Sequence, residues 1–123
     1  MAKILVVDDN EDVRHHYTEE LSDDGHEVSA VASGHGLLST IDLFGPDVVV
    51  LDIGLVEYHG LGLLKEIRSE YYDLRVILCS ADDTCKYDLR SVGADYFAVR
   101  SFDLLELKTM IKRAVDAQEI GHD

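Results

Sequence analysis

Two stretches, Lys3-Ile4-Leu5-Val6-Val7-Asp8-Asp9-Asn10 and Asp47-Val48-Val49-Val50-Leu51-Asp52, decide how this chain folds. Each is a short apolar run, rich in β-branched side chains, that stops abruptly on aspartate. Runs apolar on both faces suit strands covered by helices on either side. Working outward, Val28-Ser29-Ala30-Val31, Val76-Ile77-Leu78-Cys79 and Tyr96-Phe97-Ala98-Val99 repeat the pattern, with stretches of helical period between them. Five strands alternating with helices predict βαβ units and a parallel sheet.

The helical stretches carry their own punctuation. Val13, Tyr17 and Leu21 step by four residues, and Leu104, Leu107, Met110, Ile111, Ala114 and Val115 form one stripe of a C-terminal helix. Both stripes are read as core-facing. Gly25 is placed to close the first helix, and Asp103 with Glu106 to cap the last one. His15 and His16 diverge on a helix surface, which argues against a shared metal. No internal repeat or linker divides the chain, so residues 1–123 are expected to form one domain.

Composition narrows the function. Eleven Lys and Arg against 25 Asp and Glu leave a net charge of −14, which disfavours direct binding of nucleic acid. Cys79 and Cys85 form no zinc or redox motif, and reduced intracellular thiols are expected. The apolar run at the N-terminus is too short for a signal peptide and no later run spans a membrane, so a cytoplasmic location with no membrane partner is expected.

Ligands of open α/β sheets bind beyond the carboxyl ends of the strands. The residues there are Asp8 and Asp9, Asp52, Ser80 and Arg100. Three converging carboxylates repel one another unless a cation neutralises them, and an all-oxygen site favours Mg²⁺ or a similar hard ion such as Mn²⁺. Ser80 and Arg100 are the hydroxyl and the fixed cation that would hold the oxygens of a phosphoryl group. A carboxylate is a competent nucleophile toward phosphorus.

With Gly60 eight residues after Asp52, Ser80-Ala81, and Gly93-Ala94-Asp95-Tyr96-Phe97, these motifs resemble the receiver domain of two-component response regulators over essentially the whole chain. The resemblance implies a flavodoxin-like, doubly wound α/β fold, its five parallel strands in the order 2-1-3-4-5 with helices on both faces. It implies that Asp52 accepts a phosphoryl group in a Mg²⁺-dependent reaction, and that Asp8, Asp9, Asp52 and the carbonyl of Gly54 hold the metal. Ser80 and Phe97 resemble the family's switch residues. The implied partners are a sensor histidine kinase or histidine phosphotransfer protein, and a downstream protein or output domain. The implied role is a phosphoacceptor, not an enzyme acting on other molecules.

Two departures from the family pattern open a second reading. Arg100-Ser101 stands where lysine and proline are usual, and Val56 where proline is common. Arginine keeps the charge but presents a broad planar fork, turned either into the site or away onto a surface carboxylate. Without proline a cis bond costs roughly 3 kcal/mol, so a trans Arg100-Ser101 bond is expected. These changes admit a pseudo-receiver, an interaction domain independent of phosphorylation. A hydrolase of the aspartyl-nucleophile type is disfavoured, because no second aspartate stands two residues after Asp52.

Overall fold

A computed structural model of the chain describes residues 2–52, 62–80, 94–100 and 103–120. The strands are β1 (Lys3–Val7), β2 (Glu27–Val31), β3 (Val48–Asp52), β4 (Arg75–Ser80) and β5 (Tyr96–Val99). Four helices lie among the described residues: α1 (Glu11–Asp23), α2 (Leu37–Phe44), α3 (Gly62–Glu70) and α4 (Leu105–Ile120). The strands form one sheet in the order β2-β1-β3-β4-β5, and every pairing is parallel. This is the flavodoxin-like arrangement the sequence led us to expect.

The period of two along each strand sorts its side chains into two cores. Leu5, Val7, Val49, Leu51, Val76 and Leu78 face one layer, closed by Leu37 and Ile41 of α2 and Leu64 and Ile67 of α3. Ile4, Val6, Val48, Val50, Ile77, Cys79 and Ala98 face the other, closed by Tyr17 and Leu21 of α1 and by Leu107, Ile111 and Ala114 of α4. Strands buried on both sides must be apolar at every position, which is why β1, β3 and β4 read as unbroken hydrophobic runs. The weaker alternation of β2 fits its place at the sheet edge, where its residues are only partly covered.

Helix ends follow the local chemistry. Asn10 caps α1, its side chain accepting a hydrogen bond from the Val13 N–H at 3.1 Å. Gly25, with φ 93°, ends that helix in the left-handed region, where a Cβ would be strained. At the start of α4, Asp103 accepts from the Leu105 N–H at 3.0 Å as a cap should, but the Glu106 carboxylate accepts from the N–H of Val99. The expected reciprocal pair is therefore turned outward, tying α4 to the end of β5. Leu104 precedes the helix with φ 56°, a conformation that costs a leucine roughly 1–2 kcal/mol. Its side chain is fully buried against the α1 and α4 layer, which holds it there. The Arg100-Ser101 bond, Val56, Gly60, Cys85 and Gly93 lie outside the described residues.

Asp95 staples three elements at the opposite end of the sheet from the acidic strand ends. Its Oδ2 accepts from the Val76 N–H at 2.8 Å and from Arg68 Nη2 at 3.0 Å, and Arg68 Nη1 donates to the Leu74 carbonyl at 2.6 Å. An aspartate holding both a backbone N–H and a guanidinium is hard to replace, since its loss leaves two partly buried donors without it. Asp95→Ala should lower unfolding free energy by about 1–3 kcal/mol, read from the urea midpoint at unchanged slope. A midpoint equal to that of the parent protein would show that the staple is dispensable.

Candidate functional site

Parallel strands deliver their carboxyl ends to one edge of the sheet, and there β1 and β3, paired through Val7 and Leu51, end side by side. Asp8 and Asp9 follow β1, and Asp52 closes β3. Carboxylate oxygens of the three residues lie within 4.8 Å of one another. Their environments differ sharply: Asp8 is only 2 % exposed, Asp52 is half-buried, and Asp9 is open to solvent.

A buried carboxylate needs partners, and Asp8 has them. Its Oδ1 accepts from the Asn10 N–H at 2.9 Å, and its own N–H continues the β1–β2 ladder onto the Val31 carbonyl at 3.1 Å. Arg14, one turn into α1, donates Nη1 to the Asp8 carbonyl oxygen at 2.7 Å. The other carboxylate oxygen, Oδ2, accepts from Arg100 Nη2. The same Nη2 donates to Asp52 Oδ1 at 2.7 Å, so one nitrogen bridges two of the three carboxylates.

Arg100 follows β5 and therefore reaches the same edge as the aspartates. Of its two possible orientations it takes the inward one. Burial works to lower its pKa, but Asp52 and Asp8 outweigh that cost and hold the guanidinium above its ordinary value. It stays charged at any working pH. An all-oxygen set of three carboxylates fits a hard divalent cation, and Asp8, Asp9 and Asp52 are the residues that would hold one.

The family model described as "Response regulator receiver domain" matches residues 4–112. The chain belongs to the response regulator receiver domain family. It is 32% identical over 109 residues to the virulence transcriptional regulatory protein PhoP of Salmonella typhimurium, covering 87% of this chain and 49% of that protein. It is 34% identical over 121 residues to the regulatory protein AtoC of Escherichia coli K12, covering 96% of this chain and 26% of that one. The chain thus spans about half the length, or less, of these relatives. Among solved structures, the response regulator protein TrrA of Thermotoga maritima, in complex with Mg²⁺-BeF, is 36% identical, with a TM-score of 0.79 over 93% of this chain and 99% of that chain. TrrA has also been solved with the histidine kinase ThkA, at 35% identity, a TM-score of 0.79, and coverage of 93% of this chain and 98% of that chain.

Within this receiver domain the sequence-derived site residues are unequally described. Asp8, Asp9, Asp52 and Arg100 lie together at one sheet edge, while Gly54 and the side chain of Ser80 lie outside the described residues. Phe97 is half-buried and packs against the α2 and α3 core, on the sheet face opposite the one that carries Tyr17. Sequence reasoning passed over Arg14 and Asn10. Asn10 was legible as a helix N-cap directly after the second aspartate, whereas the reach of Arg14 back to Asp8 leaves no sequence signal.

Beneath the carboxylates, Cys79 pairs in register with Asp52 and is 1 % exposed. Burial pushes its thiol from 9.0 up to about 12. A folded-state value above the ordinary one means that the folded protein binds this proton more tightly. The stability it contributes is whole below the ordinary value and is lost as pH climbs from 9.0 toward about 12. Cys79 should therefore resist iodoacetamide in the native protein at mildly alkaline pH and react only once urea has unfolded it, as read by peptide mass mapping. Labelling of native Cys79 at the rate of the unfolded chain would contradict its burial.

Proposed function

We propose that this receiver domain accepts a phosphoryl group on Asp52 and signals through the state of that residue. The observation that carries the reading is the gathering of Asp8, Asp9 and Asp52 at one sheet edge around a fixed guanidinium. In this reading an Asp52 carboxylate oxygen attacks phosphorus, an O–P bond forms, and the bond to the donor's imidazole nitrogen breaks. Mg²⁺ or Mn²⁺ held by Asp8, Asp9, Asp52 and the Gly54 carbonyl would supply the charge that lets anionic oxygens approach one another. Arg100 would turn its donors to the phosphoryl oxygens, Ser80 would supply a hydroxyl, and Phe97 would follow the switch.

The donor proposed is a sensor histidine kinase or histidine phosphotransfer protein, as the complex of TrrA with ThkA supports. The reader is a downstream protein or an output domain, which the longer relatives support. We take residues 1–123 as one receiver domain acting in the cytoplasm. Among the described residues no helix is long and apolar enough to cross a membrane. Its chemistry is confined to its own phosphorylation and dephosphorylation, and no direct contact with nucleic acid is proposed.

One observation favours a second reading. Arg100 already hydrogen-bonds both Asp8 and Asp52 and so offsets one of the three negative charges gathered there. A pseudo-receiver would keep that pairing and present the same surface unmodified. The two readings separate on one experiment with acetyl phosphate and Mg²⁺. The parent protein should gain the mass of one phosphoryl group and Asp52→Ala should gain none. Failure of the parent protein to gain it, with beryllofluoride also leaving the amide NMR spectrum unchanged, would decide for the pseudo-receiver.

A further inference from the structure

Tyr17 is the residue of the α1 stripe that a purely apolar role does not explain. Its ring fills the α1 and α4 core, 3 % exposed, and its hydroxyl has no hydrogen-bond partner among the described residues. Buried tyrosine hydroxyls normally find a partner, and phenylalanine would fill the same space without stranding one. A second polar atom is stranded nearby. Arg100 Nε is buried and also without a hydrogen-bond partner among the described residues.

The two groups are neighbours. Tyr17 shares its core with Cys79, which pairs in register with Asp52, the carboxylate that holds Arg100, and both the Arg100 guanidinium and the Cys79 thiol act on the Tyr17 hydroxyl by charge and as side-chain hydrogen-bonding neighbours. A guanidinium carries five N–H donors in a plane, and here one nitrogen, Nη2, reaches both carboxylates. A divalent cation at Asp8 and Asp52 would take oxygens that Nη2 now occupies, and the displaced donors would need an acceptor. The hydroxyl oxygen of Tyr17 is close, buried and without a full hydrogen bond among the described residues.

We propose that Tyr17 is a positioning residue for Arg100: its buried hydroxyl accepts a hydrogen bond from the guanidinium when a divalent cation takes over Asp8 and Asp52. Arg100 then has two seats. In one it is the counter-ion of the carboxylates, and in the other it rests against Tyr17 and leaves the carboxylates to the metal. The inference rests on the reading of Asp8, Asp9 and Asp52 as a metal site, but not on phosphorylation of Asp52.

A double-mutant cycle tests it, with Mg²⁺ binding followed by calorimetry for the parent protein, Tyr17→Phe, Arg100→Ala and the double variant. Arg100→Ala should tighten Mg²⁺ binding, because the competing cation is gone. Tyr17→Phe should weaken binding roughly three- to tenfold in the presence of Arg100, the size of one lost hydrogen bond, and leave it unchanged in the Arg100→Ala background. Mg²⁺ should also shift the Arg100 guanidinium and Tyr17 ring NMR resonances together in the parent protein. Phenylalanine conserves the ring volume and removes a polar atom that lacks a partner, so the variant should fold, as thermal melting will show.

Equal weakening in both backgrounds would reduce Tyr17 to a structural role and overturn the proposal. So would no weakening in either background, or no Mg²⁺ binding by any of the four proteins. If the cycle holds while Asp52 fails to take up a phosphoryl group, the phosphoacceptor reading falls and this one stands.

Discussion

The carboxylate of Asp8 is buried at the end of β1 within reach of two other aspartates, and the hydrogen bonds from Arg100 Nη2 to Asp8 and Asp52 make that arrangement tolerable. Removing a carboxylate from water costs far more than any single contact returns, so its surroundings must be built around it. The protein does this from four directions. The backbone of Asn10, the ladder to Val31, the guanidinium of Arg14 on the Asp8 carbonyl, and Arg100 each hold a different atom of the same residue. Arg100 comes from the far end of the chain, so the site forms only when β5 has joined the sheet beside β4.

Arginine in place of lysine changes what the site does at rest. An ammonium is a compact point charge with strong hydration, while a guanidinium spans two carboxylates and tolerates partial burial. Here its pKa is raised in spite of burial, because Asp52 and Asp8 favour the charged form more than desolvation opposes it. The resting site is thus an ion-paired one with its charge partly cancelled. A cation or phosphoryl group at Asp8 and Asp52 would compete with Arg100 for the same carboxylate oxygens.

The two-sided core transmits the geometry of the edge. Alternate residues of β5 face opposite layers, so Phe97 packs toward α2 and α3 while Ala98 packs toward α1 and α4. Arg100 lies just past both, and the Glu106 carboxylate ties the Val99 N–H to the first turn of α4. Arg100 therefore lies within a few residues of the aromatic Phe97, which faces one layer, and of the Val99 tie to α4, which faces the other. That proximity is a property of the strand period and does not depend on which function is assigned.

Much of this was legible in the amino-acid sequence alone. Local chemistry encodes strands and caps, so the runs at Ile4-Leu5-Val6-Val7 and Val48-Val49-Val50-Leu51, the stripe through Tyr17 and Leu21, and the end of α1 at Gly25 all appear as read. Aspartates that stop apolar runs could be assigned to one sheet edge because parallel strands all end there. The strand order came from resemblance to the receiver family, since periodicity says which residues face a core but not which strand lies beside which. The direction of Arg100, the reach of Arg14 to Asp8, the turning of Glu106 toward Val99 and the stranded hydroxyl of Tyr17 were decided only by tertiary structure. Each depends on what surrounds a long or polar side chain in space. Its partners lie up to 92 residues away in the chain, where no local pattern can record them.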